Sequence, residues 1–199
     1  MIPILILAAG QSSRMRGRDK LLELVDGVPL VRRQVDVALS VSDDVRVALP
    51  PRPHPRYAPL QDCPVTPVDV ADADEGMGAS LRRIFATLEP GTSHAMLLLA
   101  DRPDRDAADL RTVMAAVDTH PDALIWRGAT TDGKGGHPMI VEQALFPAFS
   151  KLTGDDGGRS IVAQAGTRVQ HVQLPGRRAR ADLDTPEDWA AWRATRQTT

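Results

Sequence analysis

A single cysteine, Cys63, is all the thiol that the 199 residues contain. One cysteine closes no internal disulfide and supplies no four-ligand zinc site, so the fold must rest on its apolar core, and a reducing cytoplasm is the expected setting. Aromatic residues make up only 4% of the chain, too few for a stacking platform along single-stranded nucleic acid. No excess of either charge exists: 24 basic and 26 acidic residues leave a formal net charge of −2. No global field therefore draws in duplex nucleic acid or anionic lipid, and any phosphate binding must be local. Long apolar runs are missing as well. The run Ile2 to Ala9 falls far short of the roughly 20 residues of a membrane helix, and no basic segment precedes it as a secretory signal would require. Neither nucleic acid nor membrane is expected as a partner. Lysine is the last scarcity. Only Lys20, Lys134 and Lys151 occur among the basic residues, so the place of each lysine is informative.

What is present is an ordinary globular balance, 42% apolar and 25% charged. A chain of this length buries about 70% of its unfolded surface, and one domain over residues 1–199 is the expected organisation, with no repeat and no linker. Ile2 to Ala8 is apolar without alternation, the pattern of a strand covered on both faces. After a loop from Gly10 to Lys20, Pro29 suits a first helical position and Val31, Val35, Ala38 and Leu39 form a helical stripe. Val45 to Leu49 reads as a strand. The six prolines between Pro50 and Pro64 predict a surface loop. Val65 to Val70 is a further strand, followed by a helix from Gly78 with its stripe on Leu81, Ile84, Phe85 and Leu88. Met96 to Ala100 is a strand ended by Asp101, Leu110 to Val117 a helix and Ala123 to Trp126 a strand. Weaker signals give strands at Pro138 to Glu142 and Val169 to Leu174, and helices at Gly158 to Gln164 and Pro186 to Arg196. This alternation predicts an α/β, three-layer fold: a mainly parallel twisted sheet with helices on both faces.

The chemistry concentrates where strands end. Leu7-Ala-Ala-Gly-Gln-Ser-Ser-Arg-Met-Arg-Gly-Arg-Asp-Lys20 leaves the first strand with small residues at Ala8, Ala9 and Gly10 that let a ligand approach the backbone. Arg14 and Lys20 can span a polyphosphate, one as a fork, the other as a point charge. A solvated surface loop is the plain alternative. Neither G-x-G-x-x-G nor the P-loop spacing is present, which removes the best support for dehydrogenase and P-loop kinase readings. Asp101 ends an apolar strand, where a hard cation bridging phosphates would use one or two carboxylates; the alternative is that it caps the next helix. The second carboxylate would be Asp182 or Asp184, with helix capping as the competing role. Gly76-Met-Gly-Ala-Ser80 opens a helix with glycines and a hydroxyl, suited to an anionic or carbonyl ligand or simply to a cap. The run Arg177, Arg178, Arg180 is a solvated face or a holder of phosphate.

Leu7 to Lys20 resembles the signature L-A-A-G-x-S-x-R-M-G-x-x-K of nucleotidyltransferases that activate a phosphorylated acceptor with an NTP, specifically the molybdenum cofactor cytidylyltransferase branch, related to the molybdenum cofactor guanylyltransferases. It departs by one residue, Arg16, between Met15 and Gly17. Further matches follow in order: Gly76-Met-Gly-Ala-Ser-Leu81, Leu98-Leu-Ala-Asp-Arg-Pro103, Gly136-His-Pro138, Gly154-Asp-Asp-Gly-Gly-Arg159 and Asp182-Leu-Asp-Thr-Pro-Glu-Asp188.

The resemblance implies transfer of a nucleoside monophosphate, with Mg²⁺, from an NTP to a phosphorylated acceptor such as molybdopterin, releasing pyrophosphate. CTP is implied by Ala9, where the guanylyl branch carries glycine. Leu7, Ala8, Ala9, Gly10, Ser12, Arg14 and Lys20 would hold the nucleotide, Gly78 and Ser80 its base and ribose side, and Arg14, Lys20 and Asp101 would be catalytic. Asp101 and Asp184 would hold the cation. His137, Asp155 and Arg159 would border the acceptor, and a recipient molybdoenzyme or its chaperone would be the protein partner. Two alternatives stay open: cytidylyl transfer to a sugar or polyol phosphate such as methylerythritol phosphate, whose enzymes carry an Asp-Ala-Ala-Arg-Pro segment absent here, and a nucleotide-binding regulator without catalysis.

Overall fold

A computed structural model describes residues 1–197. The strands are β1 (Ile4–Leu7), β2 (Leu24–Val25), β3 (Val28–Pro29), β4 (Val45–Leu49), β5 (Thr66–Asp69), β6 (His94–Leu99), β7 (Ile125–Ala129), β8 (Gly135–Glu142) and β9 (Val169–Gln173). The helices are α1 (Leu30–Leu39), α2 (Met77–Phe85), α3 (Ala107–Thr119), α4 (Phe146–Phe149), α5 (Arg159–Ala165) and α6 (Pro186–Gln197). Seven strands form one sheet in the order β5-β4-β1-β6-β8-β7-β9. All neighbours pair in parallel except β8, which runs antiparallel between β6 and β7.

The first strand is apolar throughout because both of its faces are covered. Ile4 and Ile6 pack into one layer with Val31 and Val35 of α1, Leu110 and Val113 of α3 and Trp189 of α6. Leu5 and Leu7 pack into the other with Leu81, Ile84 and Phe85 of α2 and Ile161 of α5. The expected three-layer arrangement is thereby realised, with a fully buried β1 at its centre. No helix of the described residues is long and apolar enough to cross a membrane.

Strand order also locates the site. From β1 the chain passes to β4 and β5 on one side, then returns through α2 to β6 on the other side of β1. Such a reversal opens a crevice at the carboxyl ends of the two central strands, where α/β sheets take their ligands. Here those ends are Leu7 to Gly10 and Leu99 to Asp101.

Two expectations need correction. Pro29 does not begin α1; it pairs with Leu24 in the two-residue hairpin β2–β3 and caps the helix from outside. The proline-rich segment is not wholly superficial either. It winds into a 3₁₀ helix over Pro55–Leu60 whose Arg56 and Leu60 are buried. The prolines forbid an α-helix, as the sequence implied, but they do not forbid a tight coil that turns one side inward.

Candidate active site

The Gly10 to Lys20 loop is held from beneath. Met15 is fully buried in the core and ends a short 3₁₀ turn over Ser13–Met15. The additional residue Arg16 is absorbed by two successive left-handed conformations, Arg16 at φ 53° and Gly17 at φ 86°. Its guanidinium pairs with Glu187 at 2.7 Å on the first turn of α6. Arg56, 1% exposed, forms a fork on Asp19 at 2.7 and 2.8 Å and donates to the Ala8 carbonyl at 2.6 Å and to Ser12 Oγ at 3.0 Å. The loop therefore closes around an ion pair between its own half-buried Asp19 and the buried Arg56 of the proline-rich coil. Asp19 adds a bond from the Leu21 amide at 2.9 Å.

This brace delivers Lys20 to the carboxyl end of the sheet. Its Nζ donates to Asp101 Oδ2 at 2.7 Å and to Asp184 Oδ1 at 2.8 Å. Arg14 meets the other oxygen of Asp184 at 2.8 Å. Two carboxylates far apart in sequence thus converge on one ammonium. A backbone bond from Leu183 N to Asp101 O at 3.4 Å supports the approach. Burial alone would lower the Lys20 ammonium pKa, but the Asp101 charge and bonds to both carboxylates outweigh it and raise it. For Asp101 burial acts upward, yet Lys20, with Arg102 and Arg105 behind it, holds the carboxyl below the usual carboxylate range.

Beside this cluster lies a cleft of about 430 Å³. Leu7, Ala8, Ala9 and Gly10 line one wall, Ser80 and Met77 another, and Lys20 and Asp101 close one end. Arg14, Ser12 and Asp184 line an adjoining recess with Gly10 and Lys20. The arrangement can take a nucleotide-sized ligand with its charged end at the lysine and the two carboxylates. Among the described residues no group of three or more His, Cys, Asp or Glu side chains comes together to hold a metal. Asp101 and Asp184 fit the alternative, a hard cation that takes one or two carboxylates and completes its shell with phosphates and water. Asp101 Oδ1 is buried without a hydrogen-bond partner, a free acceptor next to Lys20.

Several sequence-predicted residues sit elsewhere or do other work. Ser12 Oγ is occupied inside the loop, accepting from Arg56 and from the Lys20 amide at 3.3 Å. Gly78 does not present a free amide: its N–H donates to Gly154 O at 2.9 Å. A Cβ at Gly78 would stand 2.9 Å from that oxygen and 3.0 Å from the Thr153 carbonyl carbon, so the glycine is there for close packing of backbone on backbone. Gly78→Ala should therefore cost about 1–3 kcal/mol through overpacking, read as a loss in denaturant midpoint without change of slope. Gly76, at φ 112°, lets the same 153–155 segment approach, and this brings Asp155 to the wall of the nucleotide-sized cleft. Arg159 is exposed at the start of α5 and does not line that cleft. His137 lies against β6, its Nδ1 3.3 Å from Leu97 O, also outside the cleft. Asp182 makes only a backbone bond to Arg180 O, so Asp184 is the carboxylate brought to Lys20. Arg178 pairs with Asp106 at 2.6 Å and Asp109 at 3.2 Å, clamping the terminal segment onto the capping box of α3.

Sequence reasoning missed Arg56, Asp19 and the bridge from Gln11 Nε2 to Asp74 Oδ1 at 2.6 Å across the cleft mouth. The signal for Arg56 was its position in a segment too rich in proline for regular structure, where a buried charge has to serve a loop.

The family described as MobA-like NTP transferase domain matches residues 4–172. A probable molybdenum cofactor guanylyltransferase of Natronomonas pharaonis is 34% identical over 192 residues, covering 92% of each chain. One of Synechococcus elongatus is 30% identical over 190 residues, 94% of this chain and 95% of its own. Among solved structures, Rv0371c from Mycobacterium tuberculosis H37Rv superposes with a TM-score of 0.78 at 26% identity, covering 96% and 95% of the two chains. The same protein is known in complex with manganese, at a TM-score of 0.77, 26% identity and 96% coverage of both chains.

Proposed function

For a chain that belongs to the MobA-like NTP transferase domain family, we propose transfer of a nucleoside monophosphate to the phosphate of an acceptor, molybdopterin, with release of pyrophosphate. One observation carries this reading: Lys20, Asp101 and Asp184 converge beside a cleft walled by Leu7 to Gly10. In this reading the attacking phosphate oxygen is anionic at neutral pH, so no strong general base is needed. Catalysis then consists of placing the reactants in line and neutralising charge. Lys20 and Arg14 meet the triphosphate and stabilise the departing pyrophosphate. Asp101 and Asp184 would hold a divalent cation, Mg²⁺, which when bound supplies further neutralisation between the phosphates. The loop braced by Arg56 keeps Ala8, Ala9 and Gly10 against the nucleotide.

CTP is the nucleotide we favour. Ala9 is 2% exposed and lines the cleft. Its methyl takes up space that a glycine would leave to a larger base. The names of the relatives favour GTP instead. Pyrophosphate release with molybdopterin and equal concentrations of CTP, GTP and ATP separates the two. Incorporation of CMP by at least tenfold over GMP is expected; a GMP preference overturns the choice of base and leaves the transfer reaction in place. Tight nucleotide binding without pyrophosphate from any acceptor would instead support a binding module.

A further inference from the structure

Six buried side-chain nitrogen or oxygen atoms of the described residues have no hydrogen-bond partner, and five of them lie on Asp101, Arg102 and Arg105. Arg102 leaves Nε and Nη1 unpaired, and Arg105 leaves Nε and Nη2. These side chains are 6% and 1% exposed. Buried donors are nearly always satisfied, and buried guanidinium groups nearly always pair with an anion.

Their position follows from the register of the sheet. The ladder between β6 and β8 ends at Leu97 opposite Met139, whereas β8 stays with β7 as far back as Gly135 opposite Ala129. The end of β6 thus parts from the start of β8 next to Asp101. Arg105 Nη1 takes up the Leu99 carbonyl in this gap at 2.8 Å and touches Gln34 Oε1 at 3.3 Å. Half-buried Arg127 enters from β7, with Nε donating to Gly136 O at 3.3 Å. The charges of Arg102, Arg105 and Arg127 all act on His137, Arg127 also feels Arg180, and none of the three forms an ion pair among the described residues. Burial, then the three guanidinium groups, push the His137 imidazole down to about 3, so it stays neutral and adds no charge of its own. Of the nearby carboxylates, Asp101 is engaged with Lys20 and Asp109 with Arg178.

We propose that Arg102, Arg105 and Arg127 form a binding site for a phosphate monoester dianion in the crevice between β6 and β8. Its occupant is the acceptor's own phosphate, an assignment that rests on the transfer reaction proposed above. The chemistry matches: three planar forks with unspent donors suit a tetrahedral dianion better than a carboxylate or a solvated cation. The place matches as well, because Asp101 lines the nucleotide cleft and Arg102 follows it directly in the chain, so an anion held here would be near the phosphates that it would attack.

The test titrates inorganic phosphate calorimetrically into the full chain, kept saturated with Mg²⁺ and the α,β-methylene analogue of the nucleotide selected by competition. The analogue fills the triphosphate subsite and blocks transfer. The wild-type chain should bind phosphate, and Arg102→Gln and Arg127→Gln should each weaken it at least tenfold, with Arg102→Lys in between and nucleotide affinity within twofold of wild type. In turnover the same variants should raise KM for the acceptor while the KM for nucleotide stays put. Arg127→Gln, half-buried and bonded only to a carbonyl, keeps the test open should the Arg102 variant fail to fold, as judged by its thermal transition. Absence of phosphate binding in the wild type, or affinity within twofold of wild type in both variants, overturns the proposal. Arginine-dependent phosphate binding in a protein that releases no pyrophosphate with any pair of substrates would keep the anion site and remove the transfer reading.

Discussion

Asp101→Asn should reduce turnover by about three orders of magnitude, because in the proposed reaction it takes away a carboxylate that would hold the cation, and with it several kcal/mol of charge stabilisation at the reacting phosphates. The amide keeps the shape and can still accept from Lys20, so folding should survive. Lys20→Met should also lower turnover, by about 10²–10³-fold, as expected for loss of one preorganised charge donor. The two variants should part in metal binding. In the structure the Lys20 ammonium bonds the same carboxylates that a divalent cation would use, so ammonium and metal compete for those oxygens. Paramagnetic titration with Mn²⁺ without nucleotide should therefore show weaker binding in Asp101→Asn and tighter binding in Lys20→Met than in wild type. Wild-type turnover in both variants would remove these residues from the mechanism. Equal Mn²⁺ affinity in Lys20→Met and wild type would refute the competition.

Arg56→Ala should be the most destabilising change in the loop system. It leaves Asp19 without its buried partner and frees the Ala8 carbonyl and Ser12 hydroxyl together. Breaking a buried pair from one side costs about 3–5 kcal/mol. For a chain of this size that corresponds to a fall in Tm on the order of 10 °C. Nucleotide affinity should fall too, since Ala8, Ala9 and Lys20 all depend on the loop path. Arg56→Lys should recover little, because one ammonium cannot reproduce the fork on Asp19 with the bonds to Ala8 and Ser12. In Arg56→Met/Asp19→Leu the unpaired charge is gone, so scanning calorimetry should show a smaller loss than Arg56→Ala alone. A Tm for Arg56→Ala within about 2 °C of wild type would refute the brace.

The layers, the central strand, Lys20 and Asp101 were legible in the sequence because each leaves a local mark: unbroken apolar runs, an Asp at a strand end, a lysine in a chain that hardly uses it. Asp184 carries no such mark against Asp182; only the family resemblance preferred it, and the bond to Lys20 separates the two. Strand direction leaves no such mark. The run from Pro138 to Glu142 reads the same whichever way it lies, so the antiparallel placement of β8, and with it the gap beside β6, came only from the register. Glycines carry two readings for a related reason. Gly78 and Gly76 sit where a ligand could approach, yet their missing side chains admit the 153–155 backbone. For Arg56 the proline-rich setting marked only an irregular segment; its partner Asp19 lies 37 positions away, beyond any helical or strand periodicity, so the pairing itself left no mark.

Lys20 and Asp184 meet across 164 positions of chain, and that span has a bearing on the order of events in synthesis. A nascent chain can pair its central strands before residue 184 has left the ribosome, but the contact between Lys20 and Asp184 has to wait for it. Contacts of such long range are also the slowest to form. The bond that joins the first loop to the last turn is therefore among the late events of folding.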